Sequence, residues 1–230
     1  MFKTIKKHLR HLRLRQNGIV VDRDLPTATY GRPPAMWTVY PHLIQRGSLV
    51  YSFGVGNNIA WDLEMIASHH VELHAFDPTP RSLNWIKTQS LPEEFHLHPV
   101  GLSNQDGLMS FFVPTDDHKV NFSSYESISP TNGTVQCPVK RFETIVSELG
   151  HTSVDVLKMD IEGAEMVALP DILSGETEIG HLLIEFHYLY PSISFERFAE
   201  AVTNLRNAGF LIFHISERGY EFSFVHESRL

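Results

Sequence analysis

Two strand-like runs in the second half of the chain end in side chains that can exchange protons. Asp160 and Glu162 follow the first run, and Glu185 and His187 close the second. Glu185 and His187 are two residues apart and therefore share one face of a strand. A carboxylate or imidazole held against a hydroxyl group can remove its proton. We therefore predict His187 or Asp160 as a general base, with the other carboxylates orienting the hydroxyl.

The same groups allow two other interpretations. The prediction is a metal-free site, but a divalent metal ion held by Asp160, Glu185 and His187 would lower the pKa of a bound hydroxyl. In the second interpretation, Glu162 and Glu165 only cap a helix, and Glu185 is a structural hydrogen-bond partner. The sequence leaves these alternatives open.

A glycine-containing motif earlier in the chain is typical of a nucleotide-binding turn. Residues 48–58 are an apolar run that ends in Gly54 and Gly56 and opens onto a helical pattern. Glycines permit a sharp turn close to a ligand, and the amides that follow are unpaired donors. Asp77 ends the next apolar run, where a carboxylate can accept hydrogen bonds from both ribose hydroxyls of an adenosine cofactor. Ile59 replaces the third glycine of the dinucleotide fingerprint, which argues against a nicotinamide cofactor.

Strand and helix patterns alternate from residue 48 onward, which predicts parallel strands with helical crossovers. The predicted strands are 48–54, 71–76, 95–100, 154–159 and 182–187, the predicted helices are 58–69, 80–89, 141–149 and 194–207, and the predicted terminal hairpin is 210–215 with 220–225. The fold class is thus α/β, a Rossmann-like doubly wound and mostly parallel seven-stranded sheet. The pattern of residues 105–140 predicts a β insertion after the third strand, with strands on either side of a loop at 121–133.

Composition limits the classes of function. The chain has 230 residues, of which 42% are hydrophobic, enough for one sizeable domain at 46–230. Six of the 19 basic residues lie in residues 1–15, leaving 13 against 27 acidic residues elsewhere. Such an acidic body repels phosphate backbones, so we expect no nucleic-acid substrate. Cys137 is the single cysteine, which excludes a disulfide framework, and the absence of a signal or spanning segment predicts a cytoplasmic protein.

The first 45 residues are predicted to be a basic helix and an irregular connection. Phe2, Ile5, Leu9 and Leu12 form one helical stripe among cations. This helix over residues 1–15 could make a peripheral contact with an anionic membrane, recruit a partner, rest on the acidic body, or be a mitochondrial presequence. Proline and glycine in 22–36 predict an irregular segment, with Tyr30 and Trp37 as candidate walls of a substrate site.

The chain resembles FkbM-type S-adenosylmethionine-dependent methyltransferases. The stretches that carry the resemblance are 50–56, 76–80, 98–103, 139–141, 183–187 and, most specifically, Lys158-Met-Asp-Ile-Glu-Gly-Ala-Glu165. The resemblance implies a class I methyltransferase fold, S-adenosylmethionine as cofactor, and methyl transfer to an oxygen of a sugar, glycan or small metabolite. The alternatives are methylation of a protein or peptide side chain, and a non-catalytic cofactor-binding module. The oligomeric state does not follow from the sequence.

The resemblance also implies roles for individual residues. The cofactor-binding set would be Phe53, Gly54 and Gly56 at the methionine and ribose, Asp77 with Pro78 at the ribose hydroxyls, Gly101, Leu102 and Ser103 at the adenine, and Asp160 facing the methyl-transfer site. One departure stands out, because Ser52 occupies a position where many class I enzymes carry an acid. The group that binds the amino group of the cofactor is therefore not identified. His96 and His98 alternate along one strand and share a face, which a polar strand face explains.

Overall fold

The computed structural model describes residues 2–33, 35–116, 120, 122–124 and 131–230. Its helices are α1 (Phe2–Gln16), α2 (Ala60–His69), α3 (Pro80–Ile86), α4 (Phe142–Glu148), α5 (Glu165–Leu173) and α6 (Phe195–Asn207). Its strands are β1 (Ala28–Arg32), β2 (Ala35–Val39), β3 (Leu49–Phe53), β4 (Glu72–Phe76), β5 (Phe95–His98), β6 (Gly101–Leu102), β7 (Gly107–Pro114), β8 (Thr131–Lys140), β9 (Ser153–Met159), β10 (Glu178–Glu185), β11 (Phe210–Ile215) and β12 (Glu221–His226).

Seven strands form the main sheet in the order β11-β12-β10-β9-β3-β4-β5. The strands from β10 to β5 run parallel, whereas β12 lies antiparallel to both β10 and β11. The predicted fold class, including the terminal hairpin, is confirmed. The chain reverses its direction of winding between β3 and β9, and ligands of doubly wound sheets bind beyond the carboxyl ends of strands at such a point.

The central parallel strands are mainly apolar because both faces of the sheet are covered. On one face, Tyr51 and Phe53 pack with Phe76 and Phe142. On the other, Trp37 and Trp61 pack with the alternate strand residues. The loops beyond Phe53 and Phe76 thus rest on a rigid aromatic layer, in which these two rings stack with centroids 4.3 Å apart.

The insertion forms its own three-stranded sheet. β7 and β8 pair antiparallel, and β6 pairs parallel with β8. This arrangement confirms the predicted pair of strands in the insertion. Much of the predicted loop at 121–133 lies outside the described residues.

Two sequence predictions need correction. Residues 22–36 were expected to be irregular, but β1 and β2 form an antiparallel hairpin there. The hairpin is held by contacts distant in sequence, such as the Gly31 amide that donates to Glu64 of α2 at 2.7 Å, which local proline and glycine content does not reveal. In addition, β10 ends at Glu185, so His187 lies beyond the strand and the argument from a shared strand face fails.

Helix α1 lies against the C-terminal part of the body. Lys7 pairs with Glu217 at 2.5 Å, the Arg10 guanidinium lies 3.8 Å from the Tyr220 ring centroid, and Leu14 is buried. Ile5 and Leu9 of the predicted apolar stripe point outward and are exposed. Among the described residues, no helix has both the length and the apolarity needed to cross a bilayer.

Candidate active site

A cavity of about 240 Å³ lies beyond the carboxyl ends of β3, β4 and β9. The predicted residues that line it are Phe53, Gly54, Gly56, Asp77, Pro78, Gly101, Leu102, Asp160 and Glu162, together with the candidate wall Trp37. Ser103 is fully buried and does not line the cavity. The lining also does not include Tyr30, Glu185 or His187. The fold therefore brings most of the predicted residues to one cavity.

Gly54 allows two loops to cross at the floor of the cavity. Its φ is +78°, and a Cβ atom there would lie 1.6 Å from the backbone oxygen of Asp160. Its amide donates to the Phe76 carbonyl at 3.0 Å, and the Asp160 amide donates to the Phe53 carbonyl at 3.0 Å. No other residue type can occupy this crossing without moving the backbone.

Asp77 connects the glycine loop to the next strand. Its Oδ2 accepts from the Gly56 amide at 3.0 Å, and its Oδ1 accepts from the Thr79 amide at 2.9 Å and from the Thr79 hydroxyl at 2.7 Å. Burial raises the pKa of Asp77, and these hydrogen bonds oppose the rise. Gly56 and Asp77 are thus direct neighbours on the cavity wall, as the spacing of the two motifs predicted.

Three residues on the helix α2 side of the cavity carry polar atoms without a partner. Within the described part of the chain, Nε1 of Trp37, Nε1 of Trp61 and Oδ1 of Asp62 are buried and make no hydrogen bond. All three residues line the cavity, and Asp62 is only 1% exposed. Burial raises the pKa of Asp62, and the neighbouring Lys158 opposes the rise. A buried polar group without a partner costs about 1–3 kcal/mol, so a ligand that bonded to these atoms would recover that free energy.

Lys158 stands beside these atoms at the end of β9. It is 4% exposed, lines the cavity, and its ammonium group donates to the Gly54 carbonyl at 3.3 Å. Sequence reasoning did not select Asp62, because an acid in the first turn of a helix is common for reasons of the helix dipole. The apolar periodicity of α2 likewise explains Trp61 without a ligand. Only the tertiary structure distinguishes these residues from ordinary core positions.

His187 lies among carboxylates next to the cavity. Its Nδ1 is 3.1 Å from Glu165 Oε1, and its backbone amide donates to the same oxygen at 2.7 Å. Its Nε2 lies 3.7 Å from Asp160 Oδ1 and 3.5 Å from Glu162 Oε2. Burial alone would lower the pKa of His187, but Glu165, Glu162 and Asp160 outweigh it and raise the pKa well above its ordinary value. The three carboxylates therefore favour the protonated form of the imidazole.

Asp160 is the carboxylate of this group that reaches the cavity wall together with Glu162. Burial and the charge of Glu162 raise the pKa of Asp160 to about 6, while His187 and Lys158 oppose the rise. At neutral pH the carboxylate is ionised, yet it binds a proton more strongly than an exposed aspartate. A pKa raised toward neutral pH is a property that a general base needs.

Glu162 joins the cavity to two other segments. Its φ is +53°, a strained value for a residue with a side chain. Its carboxylate accepts a hydrogen bond from the Tyr190 hydroxyl, and its backbone oxygen accepts one from Ser123 of the insertion. The insertion also supplies Phe111 and Phe122 to the cavity lining. The β insertion is therefore part of the wall.

Glu185 lies behind the cavity, where it forms an ion pair with Arg218 at 2.5 Å. Burial and the charge of Asp160 raise the pKa of Glu185. One ligand atom each from Asp160, Glu185 and His187 lie within 4.8 Å of one another, a spacing that could hold a cation. The predicted roles of these residues remain predictions.

Comparison with known proteins identifies relatives of the chain. The Methyltransferase FkbM domain family matches residues 44–212. Probable methyltransferase-like protein 24 of Rattus norvegicus is 26% identical over 144 residues, which are 62% of this chain and 33% of the relative. The Homo sapiens protein of the same name is 25% identical over the same shares. The chain thus matches about a third of the length of these curated relatives.

Two solved structures share the general arrangement at low identity. Aeropyrum pernix fibrillarin, solved with natively bound S-adenosyl-L-methionine, superposes with a TM-score of 0.45 and 10% identity, over 79% of this chain and 68% of that one. A chain from the complex between the Haloferax volcanii Trm112 methyltransferase activator and the putative methyltransferase gives a TM-score of 0.42 and 12% identity, over 80% of this chain and 84% of that one.

Proposed function

Because the chain belongs to the FkbM methyltransferase domain family, we propose that it transfers a methyl group from S-adenosylmethionine to a hydroxyl oxygen of a sugar, glycan or small metabolite. The observation that carries this proposal is the cavity at the glycine loop, whose buried polar atoms lack protein partners. S-Adenosylmethionine supplies an activated methyl group on a sulfonium when bound.

The unpartnered atoms fit the amino-acid end of this cofactor. That end carries an ammonium and a carboxylate, so it needs acceptors on one side and donors on the other. Oδ1 of Asp62 would accept from the ammonium, and the Lys158 ammonium with the indole N–H groups of Trp37 and Trp61 would donate to the carboxylate. Asp62 thereby supplies from helix α2 the acid that Ser52 does not supply from β3.

The remaining lining fits the adenosine portion. Gly54 and Gly56 leave room for close approach along the loop, and Asp77, beside Pro78, would hold the ribose hydroxyls. Gly101 and Leu102 form the adenine end. Asp77 also holds the Gly56 amide, so it positions the loop as well as the ribose.

Asp160 accepts the proton of the acceptor hydroxyl. Its carboxylate is ionised at neutral pH, since its pKa is raised only to about 6. His187, held protonated by Glu165, positions Asp160 and Glu162 by charge attraction. This arrangement supports Asp160 as the base over His187. The apolar insertion residues Phe111 and Phe122 exclude water around the acceptor.

Calorimetric titration tests cofactor binding with two ligands that share the nucleoside. S-Adenosylhomocysteine carries the amino-acid end, whereas methylthioadenosine lacks it. We expect the wild type to bind both, and Asp62→Asn to lose about tenfold or more in S-adenosylhomocysteine affinity with little change for methylthioadenosine, since a charge-assisted hydrogen bond contributes about 1.5–3 kcal/mol. Glu93→Gln removes the charge of an exposed acid outside the cavity lining and should bind both ligands as the wild type does.

The outcomes separate two failures. A wild type that binds neither ligand contradicts the cofactor proposal itself. An Asp62→Asn variant that binds S-adenosylhomocysteine like the wild type contradicts only the assignment of Asp62. Transfer of a labelled methyl group to hydroxylated sugars and metabolites then tests the reaction, and labelling confined to protein side chains would contradict the proposed acceptor class.

A further inference from the structure

A cluster of histidines lies on the sheet away from the cavity lining. His74 of β4 is paired in register with His96 of β5, and His98 follows on the same face. His151, just after α4, places its ring 4.9 Å from that of His74. Glu72, at the start of β4, contacts His96 through its carboxylate. The sequence showed only the alternation of His96 and His98, whereas the pairing of β4 with β5 adds Glu72 and His74, and the loop after α4 adds His151.

The hydrogen bonds of the cluster leave one nitrogen of His74 available. Nδ1 of His74 lies 2.9 Å from Nε2 of His98. Nε2 of His74 has no hydrogen-bond partner among the described residues. If Nδ1–H donates to His98, then Nε2 carries the lone pair that a metal ion needs. A hydrogen bond from the other ring nitrogen fixes the tautomer and orientation of a ligating histidine in most metal sites.

We propose that Glu72, His74 and His96 bind a Zn²⁺ ion. One ligand atom from each of the three lies within 4.8 Å of the others, so small side-chain rotations can bring them onto one ion. Two imidazoles and one carboxylate are ligands that zinc prefers, with water in the remaining position. His74 is largely buried, whereas the side chains of His96 and Glu72 are 39% and 45% exposed, which gives the ion a path from solvent.

The site differs from the acidic group near the cavity in place and in ligands. Its link to the cavity is the Phe76 ring, which stacks on His98 with centroids 4.7 Å apart and lines the cavity on its other side. An ion bound by β4 and β5 would join the edge strand to its neighbour and support the Phe76 layer. We therefore expect it to act on stability rather than on the chemistry of the transfer.

Titration with zinc tests the site on the full chain. The protein is stripped with a chelator and titrated calorimetrically with Zn²⁺ alone. We expect one tight site in the wild type, and at least a tenfold loss of affinity in His96→Gln and in Glu72→Gln, since each removes one of three ligands. Both side chains are partly exposed, so neither variant should fail to fold. His42→Gln, at an exposed histidine, is the matched control and should bind zinc like the wild type.

Two results would overturn the proposal. In the first, His96→Gln and Glu72→Gln bind zinc as tightly as the wild type, which leaves the cluster as a hydrogen-bonded network without a metal ion. In the second, tight binding survives in these variants but is lost in His187→Gln, which places the ion at Asp160, Glu185 and His187 instead. A rise in the unfolding temperature with zinc, seen in the wild type and His42→Gln alone, is the supporting second measurement.

Discussion

The two halves of the cavity wall differ in whether their polar groups have hydrogen-bond partners within the protein. At β2 and α2, Trp37, Trp61 and Asp62 hold buried polar atoms that make no hydrogen bond within the described residues. Beyond the ends of β9 and β10, His187 and Glu165 satisfy one another at 2.7–3.1 Å. Because unsatisfied groups cost free energy, the first half is suited to receive a charged ligand. The second half is already organised without one, which suits a group that moves a proton.

The glycine crossing should show the largest effect, because both halves depend on it. Gly54→Ala places a Cβ atom 1.6 Å from the Asp160 oxygen. We expect loss of S-adenosylhomocysteine binding and a decrease of more than about 2 kcal/mol in the free energy of unfolding. Gly150→Ala is the control, since Gly150 has a φ of +72° and no atom within 4 Å of its Cβ position. Equal effects of the two variants in denaturant unfolding would contradict the crossing argument.

Asp160→Asn should separate chemistry from binding. The amide keeps the shape of the side chain but cannot accept the proton, so kcat should fall by about 10²–10⁴-fold. The affinity for S-adenosylhomocysteine should change much less, because the partners assigned to the amino-acid end lie in the other half. Methyl-transfer kinetics and calorimetry on one preparation provide the check. Glu176→Gln, at an exposed acid, controls for the change in net charge. Unchanged kcat would rule out Asp160 as the base.

The pH dependence of methyl transfer should reflect the protonation of Asp160 and His187 in the acidic half of the cavity wall. Activity should rise as the pH increases through about 6, where Asp160 loses its proton. It should fall at higher pH, where His187 loses the proton that Glu165, Glu162 and Asp160 help it to hold. Glu165→Gln removes one of these charges and should move the falling limb to lower pH. A falling limb at the same pH in both proteins would mean that His187 is not the group that titrates.

Trp61→Phe should have the smallest effect. It removes one unpaired N–H group while keeping an aromatic ring in the core. Loss of one hydrogen bond of about 0.5–1.5 kcal/mol corresponds to a roughly 2- to 12-fold weaker affinity for S-adenosylhomocysteine, with binding of methylthioadenosine unchanged. Trp85→Phe, outside the cavity lining, should leave both affinities as they are. A loss for methylthioadenosine as well would mean that the ring packs on the nucleoside instead.

The amino-acid sequence alone determined the class of fold and the main features of the cavity at the carboxyl ends of the strands. Apolar runs alternate with segments of helical periodicity, which predicts parallel strands joined by helices. Two of these runs end in Gly54 and Asp77, which predicts a nucleotide-binding turn at the ends of adjacent strands. The catalytic candidates were also visible, because Asp160 and Glu185 close runs that must end at the same edge. These features depend on residues that are close together in the chain, so the sequence alone is enough to predict them.

Only the tertiary structure decided which ordinary-looking residues belong to the cavity. Asp62 and Trp61 fit the pattern of a normal amphipathic helix, and their unpartnered atoms appear only when β2 and β9 cover them. The protonated state of His187 likewise depends on Glu165, a residue 22 positions earlier in the chain. Burial and electrostatic interactions depend on distances across the fold, and spacing along one chain does not contain those distances.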